Sequence, residues 1–154
     1  MAIREHLRIL KMPGLAREFE GLAREARERG WSHEDVLLER GAVKYLSAVV
    51  LMELQAGAFA PSDRRLLLRL ASAFVKAGRL LVPTAGVFDE AGETLRRLQS
   101  EKGHTPGASH SIVNDVLIAL SARAIGGVVV TQNARDFRAI QAIRSFRLEV
   151  VPGA

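Results

Sequence analysis

The sequence predicts an α/β sandwich with a largely parallel sheet, preceded by a small all-α segment, and three observations predict it. Short apolar runs alternate with helix-spaced segments from Val43 onward. The run Gly-Val-Val-Val-Thr at 127–131 has the β-branched, uninterrupted character of a strand buried on both faces. Residues 3–40, by contrast, carry helical spacing alone. Strands separated by helices pair in parallel, because each crossover helix returns the chain to the same end of the sheet. In such a sheet, ligands gather at the carboxyl ends of the strands.

The elements follow in order. Leu15, Phe19, Leu22, Ala23 and Ala26 form one amphipathic stripe, with Pro13-Gly14 separating it from an earlier helix around Ile3–Leu10. Gly30 ends the stripe, and Ser32 caps a short helix opening Ser-His-Glu-Asp. After Gly41 the pattern changes. A β-branched and aromatic start at Val43 passes into a helix-compatible run ending near Gly57. Residues 62–78 read as an amphipathic helix capped by Ser62 and closed by Gly78. Arg79–Thr84 is a short apolar strand or turn, and 85–102 is another helix. A loop with His104, Thr105, Pro106, Gly107 and Ser109 comes next. Ile112–Ile125 is helical, Gly126-Gly127 ends it, Val128–Thr131 is the buried strand, Asp136–Ile143 returns to helix, and Phe146–Val151 is the last strand. Two domains are expected, 1–41 and 42–154.

Composition narrows the function classes. A chain of 154 residues with 48% hydrophobic and 25% charged residues is a globular protein with a core of its own. It has no cysteine, which excludes disulfides and thiolate metal sites and suits a cytoplasmic setting. No apolar run is long enough for a membrane span, and charges interrupt the N-terminal residues, which excludes a signal peptide. The formal charge of +5 leaves two readings open, a polyanionic partner or the solvation of helix faces.

A few acids stand apart from solvated helical faces. Glu53 lies in the apolar run Ser-Ala-Val-Val-Leu-Met-Glu-Leu, and Asp115 directly precedes an apolar stripe. Asn133 and Asp136 follow the strand that ends at Thr131, where a parallel sheet builds its sites. A carboxylate in apolar surroundings is costly unless it is paired or metal-bound. Converging carboxylates make the hard-oxygen ligand set of Mg²⁺ or Mn²⁺. Spacing alone leaves the alternative open that Glu53 and Asp115 cap helices or pair with arginines. His6, His33, His104 and His110 show no ligand spacing.

Two stretches carry a resemblance. Tyr-Leu-Ser-Ala-Val-Val-Leu-Met-Glu-Leu-Gln-Ala-Gly, with Ser47, Glu53, Leu54 and Gly57, resembles the second motif of PIN domains, particularly VapC-type toxins. Asn114, Asp115, Leu117, Ile118 and Ala119, then Thr131, Asn133, Asp136 and Phe137, resemble the third and fourth motifs combined. The resemblance implies a PIN-like three-layer α/β/α sandwich and an endoribonuclease of toxin–antitoxin systems that uses Mg²⁺ or Mn²⁺. It implies an RNA substrate, an antitoxin partner and a homodimer. Carried over by position, Glu53, Asp115 and Asp136 are metal ligands, Asn133 joins them in the catalytic cluster, and Ser47, Asn114 and Thr131 support it.

The first strand of such domains, which ends in a ligating Asp, has no counterpart before Val43. Leu-Lys-Met-Pro-Gly-Leu-Ala at 10–16 and Gly-Trp-Ser-His-Glu at 30–34 instead resemble the helical N-terminus of IstB-type transposition helper ATPases. No phosphate-binding Gly-x-x-x-x-Gly-Lys-Ser/Thr occurs, so ATP is not an expected ligand. Three functional readings follow: an active metal-dependent ribonuclease, a non-catalytic PIN remnant that binds RNA or an antitoxin, or a fragment of a transposition helper protein.

Overall fold

The computed structural model describes residues 43–103 and 110–150. The helices expected within 3–40, the boundary near Gly41 and the 104–109 loop lie outside the described residues. Nine elements run in the order β1 (Leu46–Ser47), α1 (Ala48–Gly57), α2 (Pro61–Lys76), β2 (Leu80–Leu81), α3 (Ala85–Lys102), α4 (His110–Ala124), β3 (Val128–Thr131), α5 (Ala134–Ile143) and β4 (Arg147–Val150) among the described residues. The chain divides into two compact units, Met1–Leu80 with Gly153–Ala154, and Leu81–Pro152.

In the first unit β1 is shorter than its β-branched lead suggests. The Leu46 N–H donates to the Arg79 carbonyl at 3.0 Å, and the next residue already caps a helix. Ser47 is extended at φ −72°, ψ 132°, and its Oγ accepts from the Val49 N–H at 3.2 Å, which turns the strand directly into α1. Helix α2 begins earlier than its sequence pattern indicates: Ala60, not Ser62, is the N-cap, and Pro61 opens the helix. Proline's fixed φ and missing N–H suit a first helical position, so Pro61 outweighs the capping preference of Ser62. The closure at Gly78 is as expected. With φ at +66°, the Gly78 N–H donates to Val75 and the Arg79 N–H donates to Phe74, a left-handed C-terminal cap. Leu67, Ala73 and Phe74 are buried on one side of α2.

The second unit packs α3, α4 and α5 against one another, with β3 lying on α4. Helix α3 has the predicted bounds because both ends are specified locally. The Thr84 Oγ1 accepts from the Val87 N–H at 3.2 Å, and Gly103 takes φ +67° at the other end. Val87, Ala91, Thr94 and Leu98 make its buried stripe at spacings of four, three and four. The fully buried Thr94 hydroxyl donates to the Glu90 carbonyl at 2.8 Å, so this position carries no unmet polar group. Helix α4 is buried nearly all round, through Ile112, Val116, Leu117, Ala119, Leu120, Ser121 and Ala122. Phe137, Ile140 and Ile143 of α5 complete the core, and Phe137 meets Phe146 edge-on with ring centroids 6.5 Å apart.

Helix α4 ends at Gly126 (φ +66°), where the Gly126 and Gly127 N–H groups donate to the Arg123 and Ala122 carbonyls. A Cβ there would meet only the Arg147 guanidinium at 4.0 Å, so replacement costs backbone strain and not space. Gly126→Ala is expected to lower stability by about 1–2 kcal/mol, read as a lower urea midpoint at unchanged slope. Strands β3 and β4 pair in parallel, Val128 with Arg147 through Thr131 with Val150, and α5 is their crossover. Val129 is buried and its neighbours Val128 and Val130 are exposed, so β3 is buried on one face, and not on both as its uninterrupted apolar run had indicated. No described helix is long and apolar enough to cross a membrane.

On the outside of this unit, acids on α3 hold arginines. The Arg123 guanidinium donates to Glu90 at 3.0 Å and to the Ser145 carbonyl at 3.1 Å. Arg144 reaches Glu93 at 2.8 Å, and Arg97 pairs with Glu101 at 2.8 Å.

Candidate functional site

The candidate site grows out of the carboxyl end of β3. At Thr131 the strand stops, and its Oγ1 accepts from the Asn133 N–H at 3.0 Å, folding the backbone into a tight turn. Asn133 then caps α5: its Oδ1 accepts from the Asp136 N–H at 3.5 Å. The helix therefore starts at Ala134, two residues before the start read from the sequence. An Asn followed three residues later by an acid is a cap signal the apolar pattern alone does not display.

The other end of the Asn133 amide makes the site. Its Nδ2 donates to Asp115 Oδ2 at 3.0 Å and to Asp136 Oδ2 at 2.9 Å. One NH₂ group thus holds two carboxylates, one from α4 and one from the first turn of α5. All three residues are half-buried. Two like charges this close repel, and the repulsion is offset by the shared amide protons and by the positive end of the α5 dipole, where Asp136 sits. The sequence reading named these three residues, and the structure brings them together.

The remaining candidates fall as follows. Thr131 supports Asn133 through the turn. Asn114 is half-buried beside Asp115 on α4. Ser47 caps α1 and Glu53 is half-buried on the same helix, both in the first unit. Among the described residues no three His, Cys, Asp or Glu side chains gather in a group able to hold a metal. The donor chemistry of the pair nevertheless fits Mg²⁺ or Mn²⁺. Both are hard oxygens, and Mg²⁺ characteristically takes one or two carboxylates and completes its shell with water and substrate phosphate.

Two residues were not singled out in the sequence. Arg135 and Arg138 flank Asp136 on α5, are exposed, and make no ion pair among the described residues. The signal was present in Arg-Asp-Phe-Arg, an acid set between cations just after a strand.

Asn133 links stability to chemistry, and its substitution separates the two. Asn133→Ala removes a helix cap and both bridging hydrogen bonds, with an expected loss of about 1–2 kcal/mol in denaturant unfolding. Asn133→Asp retains a capping oxygen but sets three carboxylates together. Its melting temperature is expected to rise more on adding Mn²⁺ than that of the unaltered chain.

No curated protein and no solved structure matches the chain. The family model described as PIN domain matches residues 19–143, a span that contains the Asp115–Asn133–Asp136 cluster and all nine elements except β4. The match covers most of the sequence, and the chain belongs to the PIN domain family.

Proposed function

We propose that the chain is a Mg²⁺- or Mn²⁺-dependent endoribonuclease of the VapC toxin type, with its catalytic centre at Asp115, Asn133 and Asp136. The observation that carries this reading is the Asn133 amide drawing the Asp115 and Asp136 carboxylates to within 3.0 Å and 2.9 Å of one nitrogen. Membership of the PIN family supports a nuclease-type function. In this reading Asp115 and Asp136 would hold the cation, and the resemblance of Glu-Leu-x-x-Gly to the family motif is what gives Glu53 a ligand role. Ser47, Asn114 and Thr131 support the ligands. The cation, when bound, lowers the pKa of water and neutralises charge on the phosphodiester. Asn133 keeps the two carboxylates in register, and Thr131 keeps Asn133 in place. Arg135 and Arg138 draw the phosphate towards the carboxyl end of β3. An antitoxin that holds the enzyme inactive, a homodimeric state, a cytoplasmic location and an IstB-like helical segment at 1–41 belong to the same reading.

A second reading has one observation in its favour. Only two carboxylates meet at the described cluster, and no group of three is found among the described residues. That supports a PIN remnant that binds RNA or an antitoxin without cutting. Incubation of the purified full chain with end-labelled RNA and Mn²⁺, with and without a chelator, separates the two. Internal cleavage that the chelator stops is the expected result. Retention of intact RNA by the chain under both conditions sinks the nuclease reading in favour of the remnant.

A further inference from the structure

Three arginines of the second unit have acidic partners that, among the described residues, the cations of α2 lack. Arg97, Arg123 and Arg144 are each held by an acid of α3. Arg64, Arg65, Arg69 and Lys76 of α2 are exposed and make no ion pair among the described residues. They fall on one side of the helix. At 100° per residue, Arg65, Arg69 and Lys76 lie within about 40° of one another, and Arg64 flanks them across a line formed by Leu68 and Val75. Leu68 is 61% and Val75 56% exposed. The only acid of α2, Asp63, is buried at 7% on the opposite side. The charged face runs about 18 Å from Arg64 to Lys76.

Unpaired cations along one helix face, with no acid among them, complement a polyanion. We propose that this face of α2 is a surface along which an RNA backbone runs. The proposal rests on the ribonuclease reading for its substrate, and it adds a binding surface that the Asp115–Asn133–Asp136 cluster does not include. The guanidinium groups of Arg65 and Arg69 donate to successive phosphates, and the Lys76 ammonium adds a third contact. Leu68 and Val75 offer apolar surface to the bases. A docked amphipathic helix fits less well. Such a partner needs anchors at i, i+4 and i+7, and here the middle position of the apolar line is Ser72.

The test measures binding of a labelled single-stranded RNA oligonucleotide to the full chain in EDTA, across a salt series. The Arg65→Gln/Arg69→Gln/Lys76→Gln variant is expected to reduce the slope of log affinity against log salt by about 2, three contacts at ~0.7 each. Its thermal melt is expected to match that of the unaltered chain. If the triple variant does not fold, Arg65→Gln alone should reduce the slope by about 0.7. An unchanged slope overturns the surface, as does a polyglutamate peptide that binds where RNA does not. Loss of a dimer in Leu68→Asp, with RNA binding intact in the triple variant, also overturns it and makes the face a self-interface. The two proposals fail separately. RNA bound through α2 but never cut with Mn²⁺ removes the nuclease and keeps the surface. RNA cut by a chain whose salt slope ignores the triple change removes the surface and keeps the nuclease.

Discussion

Asp115→Ala is expected to reduce Mn²⁺-dependent RNA cleavage by at least about 100-fold, the upper end of what removing a mere outer partner of a metal site costs. The size follows from the place of Asp115. It is the one carboxylate that α4 brings to the end of β3, and without it the Asn133 cluster keeps a single carboxylate for a divalent cation that is reluctant to shed water. The same change leaves Asn133 capping α5 through Oδ1 and bound to Asp136 through Nδ2. The fold should therefore survive. Asp115 is half-buried, and its removal gives up the Asn133 hydrogen bond while easing the repulsion between two carboxylates, so the melting temperature should change little. Cleavage assays and thermal melts on one preparation read both effects. Activity that persists undiminished in Asp115→Ala would place the chemistry elsewhere or in a contaminant.

Ile140→Ala is expected to have the largest effect on stability. Ile140 is fully buried in α5, which packs on both α3 and α4. Truncating a large aliphatic side chain in such a position costs about 2–5 kcal/mol, the lost transfer energy plus the cavity left behind. Against a total of roughly 5–15 kcal/mol, that is a major fraction. The effect reaches the site as well, because α5 carries Asp136 one turn before Ile140. Urea unfolding should show the lower midpoint, and a loss below ~1 kcal/mol would mean that α5 is less firmly packed than its burial implies.

The sequence displayed those parts of the fold that are decided locally. Helix α3 had the predicted bounds because Thr84 and Gly103 are themselves the signals, and Gly78 and Gly126 marked helix ends for the same reason. The starts of α2 and α5 differed where two local preferences compete. Pro61 took precedence over Ser62, and Asn133 extended its helix beyond the apolar pattern. Strand β1 fell short because the β-branched and aromatic lead, Val43 and Tyr45, runs within two residues into a cap at Ser47.

The site divides in the same way. Asn133 and Asp136 lie three residues apart after a strand, so their meeting follows from a helix cap. That Asp115 joins them depends on the packing of α4 beside β3, which spacing does not reveal. The family motif supplied that link in advance, and it placed Glu53 with them by position alone. The basic face of α2 was visible only as an overall charge of +5, because which arginines are neutralised is a three-dimensional fact.

The cap at Asn133 also bears on how the protein reaches this structure. Asp136 is three residues from Asn133 and Asp115 is eighteen, so the polar cluster closes through a short stretch of chain. Helix α4, strand β3, helix α5 and strand β4 follow one another within 110–150 without an excursion elsewhere. Contacts of such low sequence separation cost little loop-closure entropy. The carboxylate pair is thus held by contacts of short sequence separation within the second unit, where the chain has the least to search.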